Sequence, residues 1–525
     1  MPRAVEGQLD GPGGSSIASP TGEFFRNAPS TRGQHLVLRV RKSVGRTLAV
    51  ATVAALAGAA GPPAAAAPPD PVRTISWQPC EQDATAECGT LSVPVDWDHP
   101  DGERFDLALA RRTATDPQAR GGALVFGPGG PGDSGVDRVV TGIDRFSDDL
   151  RRRFDIVSFD PRGTGRSHPV VCATELLAAQ PQVIADQAQF DATLAGNARL
   201  RADCRARTGP LLDHVDTISA ARDLDAVRAA LGERRLTFHG SSYGTLLGLQ
   251  YAELFPHRVR AMVLESTVDH SHATRSFLDT QAVTAQDSFD EFVAWCATAE
   301  KCALHGRNVR AVWAGLWSRA ERGELTDPDR PGSPLSPFLL SRLAQRAFYG
   351  PDWPGLAEDI RTMESNRPAP VAAPSTTTGT SVSPYPFAVF CQDWSLPVRD
   401  YREYAGHLRR LARLAPDLRY PQAVFALSTC LGTPAPVANP QHRLRVRTDV
   451  PLLLAGTRRD PASGYNWATN VARQLGRHGV LLTYEGWGHG SYTTSPCVSR
   501  AVDRYLLDEV VPDRGARCPA VEPTA

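Results

Sequence analysis

One short string constrains this 525-residue chain more than any other: Phe238-His239-Gly240-Ser241-Ser242-Tyr243-Gly244-Thr245, a serine between two glycines where a strand-like run meets a helix-like one. A Gly-x-Ser-x-Gly turn between strand and helix is so tight that only hydrogen side chains fit beside the serine, and the hydroxyl is projected from the sheet edge. The turn exists only where a strand feeds directly into a helix. It therefore demands an α/β architecture and marks Ser242 as a candidate nucleophile.

The flanking sequence agrees. Positions 218–231 carry helical spacing, with Ala220, Leu224, Val227 and Leu231 on one face and Gly232 as the stop. Strand patterns are predicted at 89–97, 104–111, 122–126, 154–159, 236–239, 259–265, 450–455 and 480–484, and helices at 245–253, 467–477 and 500–510. Strands alternating with helices at this spacing imply a mainly parallel sheet covered on both faces. From 271 to 366 the strand signal gives way to helical periodicity at 277–296, 307–322 and 337–348, which predicts a helical insertion over the sheet edge. A Pro/Ser/Thr-rich run at 367–386 reads as a connector or exposed loop. The expected organisation is a leader over 1–67, a first core part over 68–270, a helical cap with its connector over 271–386, a second cap segment over 387–445, and a second core part over 446–525.

Composition narrows the partners. The chain balances 57 basic against 57 acidic residues, but its first 67 hold seven Lys/Arg and three Asp/Glu; the remainder has 50 against 54, about −4. That balance gives no electrostatic reason to expect nucleic acid or an anionic membrane surface as partner. Arg39, Arg41, Lys42 and Arg46, followed by an apolar run at 48–60 and small residues through Ala67, follow the order of a secretory signal. Thirteen apolar or small residues are too few to span a bilayer, and no lipid-anchor cysteine follows them, so a secreted protein without a stable membrane anchor is expected. The ten cysteines all lie beyond this leader, which implies disulfides, and none of their spacings makes a paired Cys-x-x-Cys metal site. The simplest pairing is sequential: Cys80–Cys88, Cys172–Cys204, Cys296–Cys302, Cys391–Cys430 and Cys497–Cys518. No metal or organic cofactor is expected, and oligomeric state is left open.

A serine hydroxyl is a weak nucleophile at neutral pH and needs a base, which in turn needs a carboxylate to hold its tautomer. In a sheet of this kind the order along the chain is serine, acid, histidine, each in a loop at a strand's carboxyl end. Asp460, in Gly456-Thr457-Arg458-Arg459-Asp460-Pro461, and His489, in Gly486-Trp487-Gly488-His489-Gly490, meet that demand. Glu265 and Asp269 are competing acids after the strand that follows the elbow, with Glu485 a weaker one. Acyl transfer builds negative charge on the former carbonyl oxygen, which backbone N–H groups must meet. Tyr243 offers one such group. The loop Gly127-Pro128-Gly129-Gly130-Pro131-Gly132 offers a second from Gly130, since its prolines have none. The same loop matches the Gly-x-Gly-x-x-Gly dinucleotide pattern, but two prolines interrupt it.

Together these residues resemble the α/β-hydrolase fold, and more narrowly the exported tripeptidyl aminopeptidase-like group related to prolyl iminopeptidases. The resemblance rests on 127–132 with Ser134-Gly135, on 160–167, on 221–228, on Ser242-Tyr243-Gly244-Thr245, on Asp460-Pro461 and on Gly488-His489-Gly490, and it spans about 75–518. It implies a serine exopeptidase that removes di- or tripeptides from free amino termini through an acyl-enzyme, with a helical cap limiting access. Peptides or small esters are the expected substrates. Two positions depart from the family pattern: Glu265-Ser266 stands where Asp-Gly is frequent, and Gly127 where Asn often opens the loop. Recognition of an ammonium group calls for carboxylates near the cap, for which Glu265, Asp269 and Asp393 are candidates. A carboxylesterase with the same triad, and a non-catalytic binding protein on the same scaffold, are the alternatives.

Overall fold

The computed structural model describes residues 74–327, 330–365 and 381–523, so the expected leader and most of the Pro/Ser/Thr-rich run lie outside the described residues. A ten-stranded sheet organises the chain. Its antiparallel edge is Gln78–Pro79, Glu87–Pro94 and Arg104–Arg112, the last pairing antiparallel with Asp155–Phe159. From there every pairing is parallel, in the order Asp155–Phe159, Ala123–Gly127, Leu236–Ser241, Val259–Glu265, Leu452–Arg459, Gly479–Trp487 and Arg517–Cys518.

The central strands are apolar runs without polar alternation because both of their faces are covered. Ala123–Gly127 and Asp155–Phe159 are buried at every position. Their side chains divide between two cores with a period of two. Val125, Val157, Phe238, Leu264 and Leu454 pack with the helices Thr217–Ala230, Tyr243–Leu254 and Tyr465–Leu475 on one face. Leu124, Ile156, Val263 and Leu453 pack with Gly135–Val140, Asp148–Arg153 and Pro496–Asp508 on the other.

Between Val259–Glu265 and Leu452–Arg459 the chain is largely helical, with Thr274–Thr298, Val309–Glu321, Pro337–Tyr349, Trp353–Ser365, Phe387–Asp393, Tyr401–Leu414 and Ala423–Thr429. Phe289, Phe292, Trp313, Trp317, Phe348 and Trp353 form a core of this segment's own. All described residues nonetheless belong to one compact unit, Pro69–Ala525.

Several elements differ from expectation. The helix Gln187–Thr208 was not predicted, because its buried positions Phe190, Thr193, Asn197, Leu200, Cys204 and Thr208 keep helical spacing while half of them are polar. Within 367–386, Val382–Pro384 is a strand pairing with Val171–Ala173 rather than connector, and a second short pair joins Thr326–Asp327 to Arg330–Pro334 inside the helical segment. Three residues of strand are too few to show a period.

The ten cysteines form Cys80–Cys88, Cys172–Cys204, Cys296–Cys302, Cys391–Cys430 and Cys497–Cys518. Two of the motifs behind the family resemblance meet in the core. Arg162 donates to both oxygens of Asp223 at 2.7 and 2.6 Å with both side chains fully buried, and Trp97 Nε1 donates to the same carboxylate at 2.9 Å. The remaining guanidinium donors reach the carbonyls of Val95, His214 and Pro94, so the charge is hydrogen-bonded all round.

Candidate active site

Ser242 sits at the sharp turn between the strand Leu236–Ser241 and the helix Tyr243–Leu254, with φ +55° and ψ −122°. A non-glycine residue at positive φ is strained, and surrounding structure must enforce it. Two contacts do so. Ser242 N donates to Glu265 O at 3.0 Å, and Gly244 is pressed so hard against the glycine-proline loop that a Cβ there would stand 2.2 Å from Gly127 O. The loop in turn approaches the serine: a Cβ on Gly129 would lie 3.0 Å from Ser242 Cβ. Tyr243 opens the helix, so its N–H has no intrahelical acceptor, and Gly130 lines the same clefts as Ser242.

The glycine-proline loop is pinned from below by Asp160. One of its carboxylate oxygens accepts from Ser134 Oγ at 2.6 Å and Val136 N at 3.0 Å, and the other accepts from Arg166 N at 2.7 Å. This buried aspartate ties Ser134 and the start of the helix Gly135–Val140 to the turn that follows Asp155–Phe159.

Asp460 and His489 come from the ends of neighbouring parallel strands, Leu452–Arg459 and Gly479–Trp487. His489 Nδ1 lies 2.9 Å from Asp460 Oδ1, which also accepts from the N–H groups of Ala462 and Ser463 at 2.9 Å each. Burial opposes the imidazolium, but the charge and hydrogen bond of Asp460 outweigh it, and the His489 pKa is raised above its ordinary 6.5. The histidine loop is clamped from the helical segment: His489 N donates to Tyr349 O at 2.7 Å, and the two rings lie 4.8 Å apart.

Among the competing acids, only Asp460 bonds the imidazole. Glu265 is 1% exposed and holds the loop after the histidine, accepting from Ser491 N at 2.7 Å and Tyr492 N at 2.6 Å. Its other oxygen lies 3.3 Å from His239 Nε2 and 3.4 Å from Arg145 Nη2. Burial raises its pKa, but His239, Arg145 and the Tyr492 amide prevail and hold the carboxyl below the usual range. Asp269 is spent on Ser271, Asn470, Gln474 and His272, and Glu485 pairs with Arg517.

Of the three acids expected to receive an ammonium group, only Glu265 reaches a cleft, and Arg145 already occupies it. Asp269 lines neither cleft at Ser242. Asp393 lies beneath the site, accepting from Thr217 N, Thr217 Oγ1, Asn439 Nδ2 and Tyr243 Oη at 2.5–2.9 Å; burial, with Asp216 nearby, pushes its pKa up to about 7. Its role here is to hold the ring of the residue that follows Ser242.

Two clefts meet at Ser242. One, of about 260 Å³, is lined by aromatic residues including Phe277, Phe390, Trp394 and Trp467. The other, of about 570 Å³, is charged and contains His489. Sequence reasoning named neither the aromatic wall nor Tyr349, because Tyr349, Phe277, Phe390 and Trp394 come from the helical segment and Trp467 from the helix Tyr465–Leu475, and periodicity marks which residues are buried but not against what.

Comparison with known proteins agrees with this geometry. A family model described as alpha/beta hydrolase fold matches residues 122–333, which contain Ser242, and one described as TAP-like protein matches 420–518, which contain Asp460 and His489. Serine protease Hip1 of Mycobacterium tuberculosis (strain ATCC 25618 / H37Rv) is 32% identical over 488 residues, covering 85% of this chain and 91% of that protein. The tripeptidyl aminopeptidase of Streptomyces lividans is 30% identical over 475 residues, covering 85% and 86%. Carboxylesterase B of the same M. tuberculosis strain is 33% identical over 477 residues, covering 84% and 89%. The chain is a serine hydrolase of the α/β-hydrolase superfamily and belongs to its tripeptidyl aminopeptidase-like group.

Proposed function

We propose that the protein is a serine exopeptidase that releases di- or tripeptides from free amino termini. The observation that carries this reading is the Asp460–His489 pair sharing one cleft with a serine at a strained elbow, in a chain similar to a tripeptidyl aminopeptidase. Asp460 accepts from Nδ1–H and leaves Nε2 free to take the Ser242 proton as Oγ attacks the carbonyl carbon. The amides of Tyr243 and Gly130 meet the oxyanion. The imidazolium then protonates the leaving amine, and water, deprotonated by the same nitrogen, hydrolyses the ester to free Ser242. The helical segment acts as the cap over this edge. Ring faces in the aromatic cleft attract a cationic amino terminus without a free carboxylate. Five disulfides support action in an oxidising compartment after export, and among the described residues no helix is long and apolar enough to cross a membrane.

The second reading is a carboxylesterase with the same triad, favoured by the similarity to carboxylesterase B and by the lack of an unoccupied carboxylate among the three acids expected to bind an amine. Matched amide and ester substrates with free and blocked amino termini decide between them. Cleavage of free-amine peptides, and fluorophosphonate labelling that disappears in Ser242→Ala, are expected; turnover of blocked esters alone would establish the esterase.

A further inference from the structure

The charged cleft is not balanced. It is lined by four arginines, Arg138, Arg145, Arg342 and Arg346, and two carboxylates, Asp133 and Glu265, which leaves two positive charges in excess when His489 is neutral. Both carboxylates are already taken: Arg138 pairs with Asp133 at 3.1 Å and Arg145 with Glu265 at 3.4 Å. Among the described residues neither Arg342 nor Arg346 has a carboxylate within ion-pairing distance. The two are one turn apart on the helix Pro337–Tyr349, a spacing at which like charges repel. Burial pushes the Arg342 pKa down, a smaller effect of Tyr349 opposes it, and the neighbouring Arg346 charge adds a still smaller push downward. A partly buried guanidinium without a counter-ion, beside a second one, is an arrangement that a bound anion relieves.

Position relative to the chemistry says which part of a substrate that anion belongs to. Arg342, Arg346 and Tyr349 follow a four-then-three spacing and so lie along one face of the helix, and Tyr349 is bonded to the histidine loop through its carbonyl. His489 lines the charged cleft and not the aromatic one. The imidazolium must hand its proton to the leaving nitrogen, so the leaving segment occupies the side on which His489 lies, and the acyl segment occupies the aromatic side.

We infer that Arg342 and Arg346 are specificity-determining residues that receive a carboxylate carried by the leaving segment close to the scissile bond. This rests on the exopeptidase reading above. The carboxylate is either an Asp or Glu side chain or the C-terminal carboxylate of a short leaving peptide, and the same excess charge disfavours leaving segments that begin with Lys or Arg.

The test uses peptides with a free amino terminus and one common tripeptide, followed by Glu, Gln or Lys with an amidated end, and by Gln with a free carboxyl end. The nitroanilide of the same tripeptide, whose leaving group is uncharged, serves as the reference substrate. The wild-type protein is expected to favour Glu over Gln by about tenfold in kcat/KM, chiefly through KM, with Lys poorest and the ratio shrinking as salt rises. The ratio should fall toward one in Arg342→Gln and in Arg346→Gln, partly return in Arg342→Lys, and shift toward Lys in Arg346→Glu, with melting temperature reporting an intact fold. Preference for the amidated Glu peptide identifies the side chain as the source; preference for Gln with a free carboxyl end identifies the terminus. Nitroanilide turnover without either preference, or a preference that survives in the Arg342→Gln/Arg346→Gln double variant, would overturn this inference alone. Absence of turnover on every one of these substrates would overturn the exopeptidase reading instead.

Discussion

At the residue scale, the two acidic side chains nearest His489 do different work. Asp460 bonds the imidazole at Nδ1, whereas Glu265 reaches past it to the amides of Ser491 and Tyr492 and sets where the loop runs. Asp460→Asn is expected to lower kcat by about 10⁴-fold with little change in melting temperature, because the amide holds the wrong tautomer without altering the packing. The pH profile should move as well. Asp460 stabilises the protonated ring, so in the wild type kcat/KM should rise with pH through an inflection above 6.5, and the substitution should displace that inflection downward. Glu265→Gln should instead cost about 1–3 kcal/mol of stability, since the Arg145 guanidinium loses its counter-charge. The sign of its pH dependence follows from a depressed carboxyl: the contribution is fully present above the ordinary 4.5 and is lost as pH falls through the folded-state value. The gap in melting temperature between wild type and Glu265→Gln, measured across pH, should therefore be widest above 4.5 and close in acid.

At the scale of elements, the elbow works because a strand, a helix and a loop approach closer than side chains allow. Gly244 abuts Gly127 O and Pro128 O, so Gly244→Ala must push the glycine-proline loop away from the serine. The expected outcome is a loss of about 1–3 kcal/mol in stability together with slower fluorophosphonate labelling, read by denaturant titration and by labelling kinetics. The elbow was legible in the sequence because tight turns demand glycine at set offsets, and the central strands were legible because two-sided burial removes polar alternation. The helix Gln187–Thr208 was not: Thr193, Asn197 and Thr208 occupy its buried stripe, with Asn197 donating to the carbonyls of Ser428 and Leu431. Residues 231 or more positions away satisfy that asparagine, and no local pattern announces them. Trp353–Ser365 is a different case: its buried residues Trp353, Leu356, Ala357, Ile360 and Met363 are all apolar at helical spacing, so the sequence does carry its pattern.

At the scale of the whole molecule, two devices hold distant stretches together. The buried Arg162–Asp223 pair joins the turn after Asp155–Phe159 to the helix before the elbow strand, and Asp223→Asn should cost about 3–5 kcal/mol, because a guanidinium would stay buried beside half its partner. The Cys391–Cys430 bridge closes 39 residues and ties Phe387–Asp393 to the end of Ala423–Thr429, two helices that both contribute to the aromatic cleft. Replacing both cysteines by serine should lower stability by about 3–4 kcal/mol in thermal unfolding and raise KM for tripeptide substrates.

The sequence by itself determined the elbow, the sheet class and the short roster of hydroxyl, imidazole and carboxylate, since each follows from rules that act within a few residues: periodicity, glycine at a forced turn, a loop after a strand. Only the tertiary structure decided which acid meets His489, that Asp269 and Asp393 are consumed by neighbours rather than open to a substrate, and that an aromatic cleft and an arginine-rich one meet at Ser242. Those outcomes depend on pairings between residues tens to hundreds of positions apart, and hydrogen-bond capacity or unbalanced charge becomes visible only when both partners, or the missing one, are placed in space.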